Sequence, residues 1–78
     1  MDQMKKGDRI IFDSHFGYDI GYFIEESYMY DTYRVLLVTG VSPGESCLEK
    51  NLIHPYSLEK LAEMKEKYGY IKEFSKSF

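Results

Sequence analysis

The chain has 78 residues, a formal net charge of −3 and a single cysteine. A chain of this length forms one domain that buries only about 60% of the surface exposed by its unfolded form. The single cysteine excludes an internal disulfide and a zinc site built from several cysteines. No apolar run approaches the roughly 20 residues that span a bilayer, so we expect a cytoplasmic protein without a membrane partner.

The excess of acidic over basic side chains lies in residues 1–56. Residues 1–56 carry nine acids and five bases, whereas residues 57–78 carry four acids and five bases. A domain that neutralises backbone phosphates needs a basic face. The composition therefore disfavours nucleic acid as a partner.

Two strands are predicted in the N-terminal part of the chain. Residues 9–12 follow a glycine and aspartate turn pair, and Ile10 and Phe12 would share one face of that strand. Residues 15–20 show no clean alternation of apolar and polar side chains, which indicates a long loop. A second strand is predicted over residues 22–26, directly after this loop.

The strongest strand pattern covers residues 33–39. It alternates two sets of side chains, which are Tyr33, Val35 and Leu37 on one face and Arg34, Leu36 and Val38 on the other. Both faces of this segment are mostly apolar, which predicts a central strand covered on two sides. The glycines and proline of residues 40–44 predict a hairpin loop, with residues 45–48 returning antiparallel. Residues 49–52 form a predicted single turn before a brief last strand, which Pro55 restricts to an edge or an end.

A helix is predicted over residues 57–69, with Ser57 as the N-cap and Gly69 as the stop. Glu63 and Lys67 would form a favourable pair four residues apart. The predicted inward stripe has five members at helical spacing: Leu58, Leu61, Ala62, Lys65 and Tyr68. Residues 70–78 would form a short extension and a tail.

The order of these elements resembles the SH3-like barrel, including its Tudor and KOW relatives. The resemblance is carried by three short groups of residues: Gly7 to Ile10, Gly21 with Phe23 and Ile24, and Glu49, Asn51 and Leu52 ahead of Pro55 and Tyr56. It implies a mainly β fold with a five-stranded SH3-like barrel over residues 5–56 and a C-terminal α-helix, within a single domain of residues 1–78. The small size and many tyrosines also resemble small accessory proteins of phages and prophages.

Catalysis, metal binding and a cofactor are not expected. Asp13, Ser14 and His15 are adjacent, but three consecutive residues rarely form the chain of hydrogen bonds that a hydrolytic triad needs. We interpret them as ordinary loop residues. Cys47 is expected to be a small buried hydrophobe, as free cysteines often are, and His54 a histidine at the surface or a strand end. Scattered histidines and one cysteine give no recognised metal spacing.

The aromatic content is the most informative feature, with eight tyrosines and five phenylalanines. Several of these fall in predicted loops or at strand ends, beside acidic residues, where tyrosine suits a binding surface. The predicted partner-binding residues are Phe16, Tyr18, Asp19, Glu26, Tyr28, Tyr30, Asp31 and Tyr56. The alternative is that these aromatic rings cover the barrel ends and pack under the helix, while the acids form an ordinary solvated face.

The leading functional hypothesis is a non-enzymatic protein-interaction module with an accessory or inhibitory role. Its tyrosine-rich acidic loops would bind a partner protein with a basic or mixed surface. The alternative is a KOW-like or Tudor-like nucleic-acid-associated regulator that uses Lys5, Lys6, Arg9 and Arg34 with stacking tyrosines. An aromatic cage for a methylated side chain is a third hypothesis. An exposed edge at the last strand would permit a weak homodimer beside the expected monomer.

Overall fold

The computed structural model describes residues 4–39 and 43–69, which form one antiparallel sheet followed by a helix. The elements are β1 (Arg9–Asp13), β2 (Tyr18–Glu26), β3 (Thr32–Leu37), β4 (Gly44–Glu49), a 3-10 turn (Lys50–Leu52), β5 (Ile53–Pro55) and α1 (Leu58–Tyr68). The strand order is β4-β3-β2-β1-β5, so β4 and β5 are the two edges of the sheet that the described residues form. The mainly β prediction with a C-terminal helix is confirmed, as is the edge position of the Pro55 strand. The described strands form an open sheet, so closure into a barrel is not confirmed.

The largest error of the strand prediction is at the start of β2. This strand begins at Tyr18, where a long loop is predicted, and pairs with β1 in the register Asp13↔Tyr18 and Ile11↔Ile20. The alternation is hidden because Gly21 interrupts the apolar pattern. A Cβ atom at Gly21 would clash with the carbonyl oxygen of Leu36, so glycine is needed for the close approach of β2 and β3.

One face of the sheet carries the first core cluster, which draws its side chains from four strands. Its buried members are Ile10, Phe23, Val35, Leu37 and Ile53. The ring of Phe23 meets that of Tyr33 edge to face, with 5.2 Å between the centroids. Burial of each such aliphatic or aromatic side chain contributes roughly 1.5–3 kcal/mol, so this cluster is the main stabilising element of the sheet.

The opposite face carries the second core cluster, where α1 packs on β1 and β2. Ile11, Tyr18 and Met64 are buried there, with Leu61 and Tyr68 packed against them. Two strands therefore have buried side chains on both faces: β1 through Ile10 and Ile11, and β2 through Phe23 and Tyr18. In β3, where double coverage was predicted, one face is buried and the other is only partly covered.

The predicted inward stripe of α1 is confirmed at Leu61 and Tyr68 and is wrong at its other three positions. Met64, which the predicted stripe omits, is fully buried, whereas Leu58 is 77% exposed and Ala62 and Lys65 are also exposed. Leu61, Met64 and Tyr68 form the actual stripe. Helical spacing alone allows either Leu58 or Met64 to face inward beside Leu61 and Tyr68. The docking of α1 on β1 selects Met64.

Both predicted ends of α1 are confirmed. The hydroxyl of Ser57 accepts a hydrogen bond from the Lys60 amide at 3.0 Å, and Gly69 ends the helix with a φ of 82°. The predicted pair of Glu63 and Lys67 is wrong. Glu63 instead binds Lys60 at 3.1 Å, because Lys67 extends toward β1.

Two predicted segments fall outside the described residues: most of the hairpin loop, at residues 40–42, and the extension and tail at residues 70–78. The antiparallel return that this loop predicts is confirmed, since β3 and β4 pair from Thr32↔Glu49 to Leu37↔Gly44. Within residues 4–39 and 43–69, no helix has the length and apolar character needed to cross a membrane.

Candidate functional site

The residues predicted to bind a partner do not form one surface. Phe16 lies in the turn between β1 and β2, whereas Tyr28, Tyr30 and Asp31 lie in the turn between β2 and β3. These turns are at opposite ends of β2, a strand of nine residues. At about 3.3 Å per residue, the strand path between them is about 30 Å. The two turns must therefore be considered as separate candidate sites.

Two of the predicted partner-binding residues lie in β2 and take part in its packing and hydrogen bonds. The side chain of Tyr18 is only 3% exposed and lies in the second core cluster, so its predicted place in an exposed loop is wrong. Asp19 is half-buried and accepts a hydrogen bond from the Thr39 hydroxyl at 3.2 Å. Burial raises the pKa of Asp19 despite that bond. The same hydroxyl accepts a bond from the Ile20 amide at 2.9 Å, so this group links β2 to the end of β3.

The ring of Tyr56 is in contact with the guanidinium of Arg9. The guanidinium of Arg9 lies 4.8 Å from the centroid of the Tyr56 ring and 5.8 Å from that of Tyr22. Such a position over an aromatic ring is attractive because the ring face is electronegative. Tyr56 is also half-buried against the second core cluster. Its ring is therefore partly used in holding the start of β1 to the chain before α1.

The nucleic-acid hypothesis invokes four basic residues, and two of them, Arg9 and Arg34, are engaged by other side chains of the same chain. Arg34 lies between two carboxylates, with its guanidinium 3.1 Å from Glu25 and 3.3 Å from Glu45. The hydrogen bond with Glu25 raises the pKa of Arg34. Arg9 is occupied by its aromatic neighbours. The geometry thus gives no support to phosphate binding by these residues together.

The turn between β1 and β2 presents Phe16, which is 96% exposed. The turn is closed by a hydrogen bond from the Ser14 amide to the Gly17 carbonyl at 3.0 Å. His15 adopts a φ of 71°, a left-handed conformation that costs most residues free energy. Its amide donates to Asp13 at 3.0 Å, which holds that conformation.

Asp13 was interpreted as an ordinary loop residue, but the structure places it at the end of β1 in contact with α1. It is buried, and its carboxylate accepts a hydrogen bond from the Tyr68 hydroxyl at 2.5 Å. Lys67 lies 3.7 Å from its other oxygen. Burial opposes ionisation, but the bonds from Tyr68 and His15 outweigh it and lower the pKa of Asp13. We call Asp13, Lys67 and Tyr68 the helix clasp, because they join β1 to the last turn of α1.

The turn between β2 and β3 presents the largest exposed aromatic group. We call residues 27–31 the hairpin tip. In it Tyr28 is 97% exposed, Tyr30 is 95% exposed and Met29 is 48% exposed. Exposed side chains of this size seldom occur next to one another in a monomeric protein without a function.

The hairpin tip is held in place by short-range hydrogen bonds. The amide of Ser27 donates to the Thr32 carbonyl at 3.1 Å, and the amide of Met29 donates to the Ser27 hydroxyl at 3.1 Å. The Thr32 hydroxyl donates to the Met29 carbonyl at 3.0 Å, and Asp31 adopts a φ of 59°. The backbone of the tip is therefore ordered while its aromatic side chains remain in solvent.

The position of the tip explains why its rings stay exposed. Pairing between β1 and β2 ends at Arg9↔Tyr22, and the pairing of β2 with β3 shifts register between Phe23 and Glu25. Beyond that irregularity, the hairpin extends past the part of β2 that β1 covers. The two rings consequently project away from both core clusters.

Carboxylates outnumber cations around the tip. The acids are Glu25, Glu26, Asp31 and Glu49, and the two bases are Arg34 and Lys50. Lys50 binds Glu26 at 2.5 Å, a hydrogen bond that raises the pKa of the lysine. Exposed pairs of this kind contribute little to stability. Their effect is to neutralise part of the acidic surface, which leaves Asp31 and Glu49 as the carboxylates without an ion pair among the described residues.

The structure places Cys47 in the edge strand β4 and His54 in the edge strand β5. Cys47 is exposed in β4, so its predicted burial is wrong, and its sulfur accepts a bond from the Ser27 hydroxyl at 3.6 Å. His54 is half-buried, and burial together with the nearby Lys60 charge lowers its pKa. Among residues 4–39 and 43–69, no group of three His, Cys, Asp or Glu side chains is arranged to hold a metal ion.

Comparison with known proteins adds no assignment to this geometry. Protein-family models, curated protein sequences and solved structures contain no match to the chain at a significant level. The hairpin tip, with its ordered backbone, exposed rings and acidic surroundings, is the strongest candidate for a functional site in the described part of the chain.

Proposed function

We propose that the chain is a non-enzymatic protein-interaction module whose hairpin tip binds a partner protein, in an accessory or inhibitory role. The observation that carries the proposal is the nearly complete exposure of Tyr28 and Tyr30, on either side of a half-exposed Met29. Tyrosine and methionine are enriched in the cores of protein interfaces. An apolar pocket on the partner would accept these three side chains.

The energetics favour binding through a preformed tip. A tyrosine that becomes a hot spot contributes about 2 kcal/mol or more, so two tyrosines supply roughly 4 kcal/mol or more. The backbone bonds of Ser27 and Thr32 already fix the turn. The free energy of ordering this loop is therefore small at the moment of binding, which favours affinity.

The charge around the tip indicates the chemistry of the partner. Asp31 and Glu49 lie beside the aromatic group without an ion pair among the described residues, and the paired acids add a negative excess. A partner whose apolar pocket has a basic rim would be attracted during diffusion and would neutralise these carboxylates on binding.

An SH3-like barrel, open between β4 and β5, is our proposal for the finer fold. It is supported by the position of β1 between β2 and β5, and by the single 3-10 turn of Lys50–Leu52 between the edge strands. The close approach of β2 and β3 at Gly21 also fits a strongly bent sheet. A kinship with phage accessory proteins is likewise a proposal, supported by the size and tyrosine content alone.

Site-specific photocrosslinking tests the proposed function and locates the partner. Benzoylphenylalanine replaces Tyr30 in one variant and Phe16 in a matched control, since both positions carry an aromatic ring that is at least 95% exposed. We expect one partner to crosslink from position 30, to be displaced by unlabelled wild-type protein, and to carry basic residues beside the crosslinked site. Equal crosslinking from position 16 contradicts the proposal.

A further inference from the structure

A single hydrogen bond shows which backbone groups of β4 point toward β3 and which point away from it. The amide of Lys50 donates to the Asp31 carbonyl at 3.0 Å, which makes these two residues a hydrogen-bonded pair of the antiparallel ladder. Such pairs alternate with pairs that are not hydrogen-bonded. The register Tyr33↔Leu48 and Val35↔Ser46 is therefore bonded, whereas Arg34↔Cys47 is not.

This alternation identifies the amides and carbonyls of β4 that are not bonded to β3. The amides and carbonyls of Glu45, Cys47 and Glu49 point away from β3, and in the described part of the chain β4 has β3 as its one neighbouring strand. All three residues are exposed. An edge with unpaired donors and acceptors is a template for another extended segment.

The two faces of this edge differ in chemistry. Glu45, Cys47 and Glu49 are on one face, with a small thiol between two carboxylates, of which Glu45 also pairs with Arg34. On the other face Leu48 is half-buried and packs against the first core cluster. A matching strand would carry basic residues at alternate positions on one face and apolar residues on the other.

We propose that β4 accepts an extended peptide segment of a partner protein as a sixth strand. The segment has two lysines or arginines four residues apart, a small residue between them and apolar residues at the intervening positions. Its backbone would bond to that of Glu45, Cys47 and Glu49, as in other cases of strand addition. This site goes beyond the proposed function of the hairpin tip, because it uses backbone groups of β4 and no tip tyrosine.

Alternative occupants and the other edge fit less well. Antiparallel pairing of two copies of β4 about Cys47 would place Glu45 of one copy opposite Glu49 of the other, and like charges in that position are destabilising. The edge strand β5 has only three residues and ends in Pro55, which has no amide hydrogen.

The experiment titrates the ¹⁵N-labelled full chain with a blocked peptide of sequence Lys-Val-Ser-Val-Lys-Val-Thr at low salt. We expect shifts in the amide resonances of Glu45, Cys47 and Glu49, and slower hydrogen exchange of these amides by about tenfold or more at saturation. A control peptide with glutamate in place of both lysines should produce neither effect. The double variant Tyr28→Ala/Tyr30→Ala should bind the lysine peptide as the wild type does, which separates this site from the hairpin tip.

Two variants of β4 complete the test. Glu49→Lys should weaken peptide binding about tenfold or more, because a like charge then faces the peptide lysine, whereas Glu66→Lys on the exposed side of α1 should leave it unchanged. Cys47→Pro removes an outward amide without removing a bond to β3 and should abolish binding. The proposal is overturned by shifts confined to β5 or the tip, by no shift at about 1 mM peptide, by equal effects of Glu49→Lys and Glu66→Lys, or by a β4-mediated dimer in sedimentation without peptide.

Discussion

The two ends of β2 both present exposed aromatic rings, yet the structure uses them differently. At one end, Phe16 lies in a turn next to the helix clasp, where Asp13 accepts the bond from Tyr68. At the other end, the hairpin tip extends beyond the part of β2 that β1 covers. The comparison teaches that exposure alone does not identify a site. The tip is the better candidate because Tyr28, Met29 and Tyr30 are exposed side by side there, whereas Phe16 is a single exposed ring.

We assign a role in stability to the end of β2 that contacts α1, and a role in binding to the hairpin tip. The largest expected effect on stability is in the second core cluster. Met64→Ala should lower the free energy of unfolding by about 2–5 kcal/mol, because Met64 is fully buried against Ile11 and Tyr18. Urea denaturation measures this loss. Leu58→Ala on the exposed side of the same helix is the control and should change stability by less than about 0.5 kcal/mol. Similar losses for both variants would show that the described helix register is wrong.

Breaking the helix clasp should have an intermediate effect. Asp13→Asn replaces a buried carboxylate that accepts bonds from Tyr68 and His15, so we expect a loss of about 1–3 kcal/mol in urea denaturation. Asp31→Asn is a matched control at the tip, where asparagine also tolerates the φ of 59°. An equal loss from the control would contradict the contrast between the two ends.

The pH dependence of stability sharpens the same contrast. The folded chain lowers the pKa of Asp13 below its ordinary value of 3.8, so the unfolded chain binds a proton more readily there. The stabilising contribution of Asp13 is therefore present above about pH 4 and is lost as the pH falls through the folded pKa. Asp13→Asn should reduce the loss of stability between about pH 4 and pH 2, as measured by urea denaturation at each pH. If Asp13→Asn lost as much stability as the wild type over this pH range, the role of the helix clasp would be contradicted.

The smallest expected effect on stability is at the tip. Tyr28→Ala and Tyr30→Ala should each change the free energy of unfolding by less than about 0.5 kcal/mol, because both rings lie in solvent. Thermal denaturation of the single variants measures this. A loss comparable with that of Asp13→Asn would show that the rings cover part of the sheet, which is the structural alternative to a binding surface.

The parts of the fold with local signals could be predicted from the sequence. Ser57 and Gly69 gave the ends of α1, and Pro55 gave the edge character of β5. The start of β2 was missed because Gly21 interrupts the apolar alternation, although pairing in register with β1 makes the segment a strand. The choice of Met64 over Leu58 depends on tertiary docking, which the spacing within one helix does not reveal.

The candidate site was only partly predictable for the same reason. Phe16, Tyr28 and Tyr30 were expected in turns or at strand ends, and the structure places each of them in an exposed turn. Tyr18 was grouped with them because its strand was missed. The bond between Asp13 and Tyr68 joins residues 55 positions apart, so no local pattern indicates it. The distance between the two turns likewise depends on β2 being one continuous strand.

The measurement that tests the account most directly compares partner affinity and stability in the same variants. The partner identified by crosslinking is purified and titrated against the wild type, Tyr28→Ala/Tyr30→Ala and Phe16→Ala, and the melting temperature of each is recorded. We expect the tip variant to lose affinity by about 100-fold or more, with a melting temperature within a few degrees of the wild type. Phe16→Ala should bind normally. Unchanged affinity in the tip variant, or a loss of binding that accompanies an equal loss of folding, would contradict the central claim.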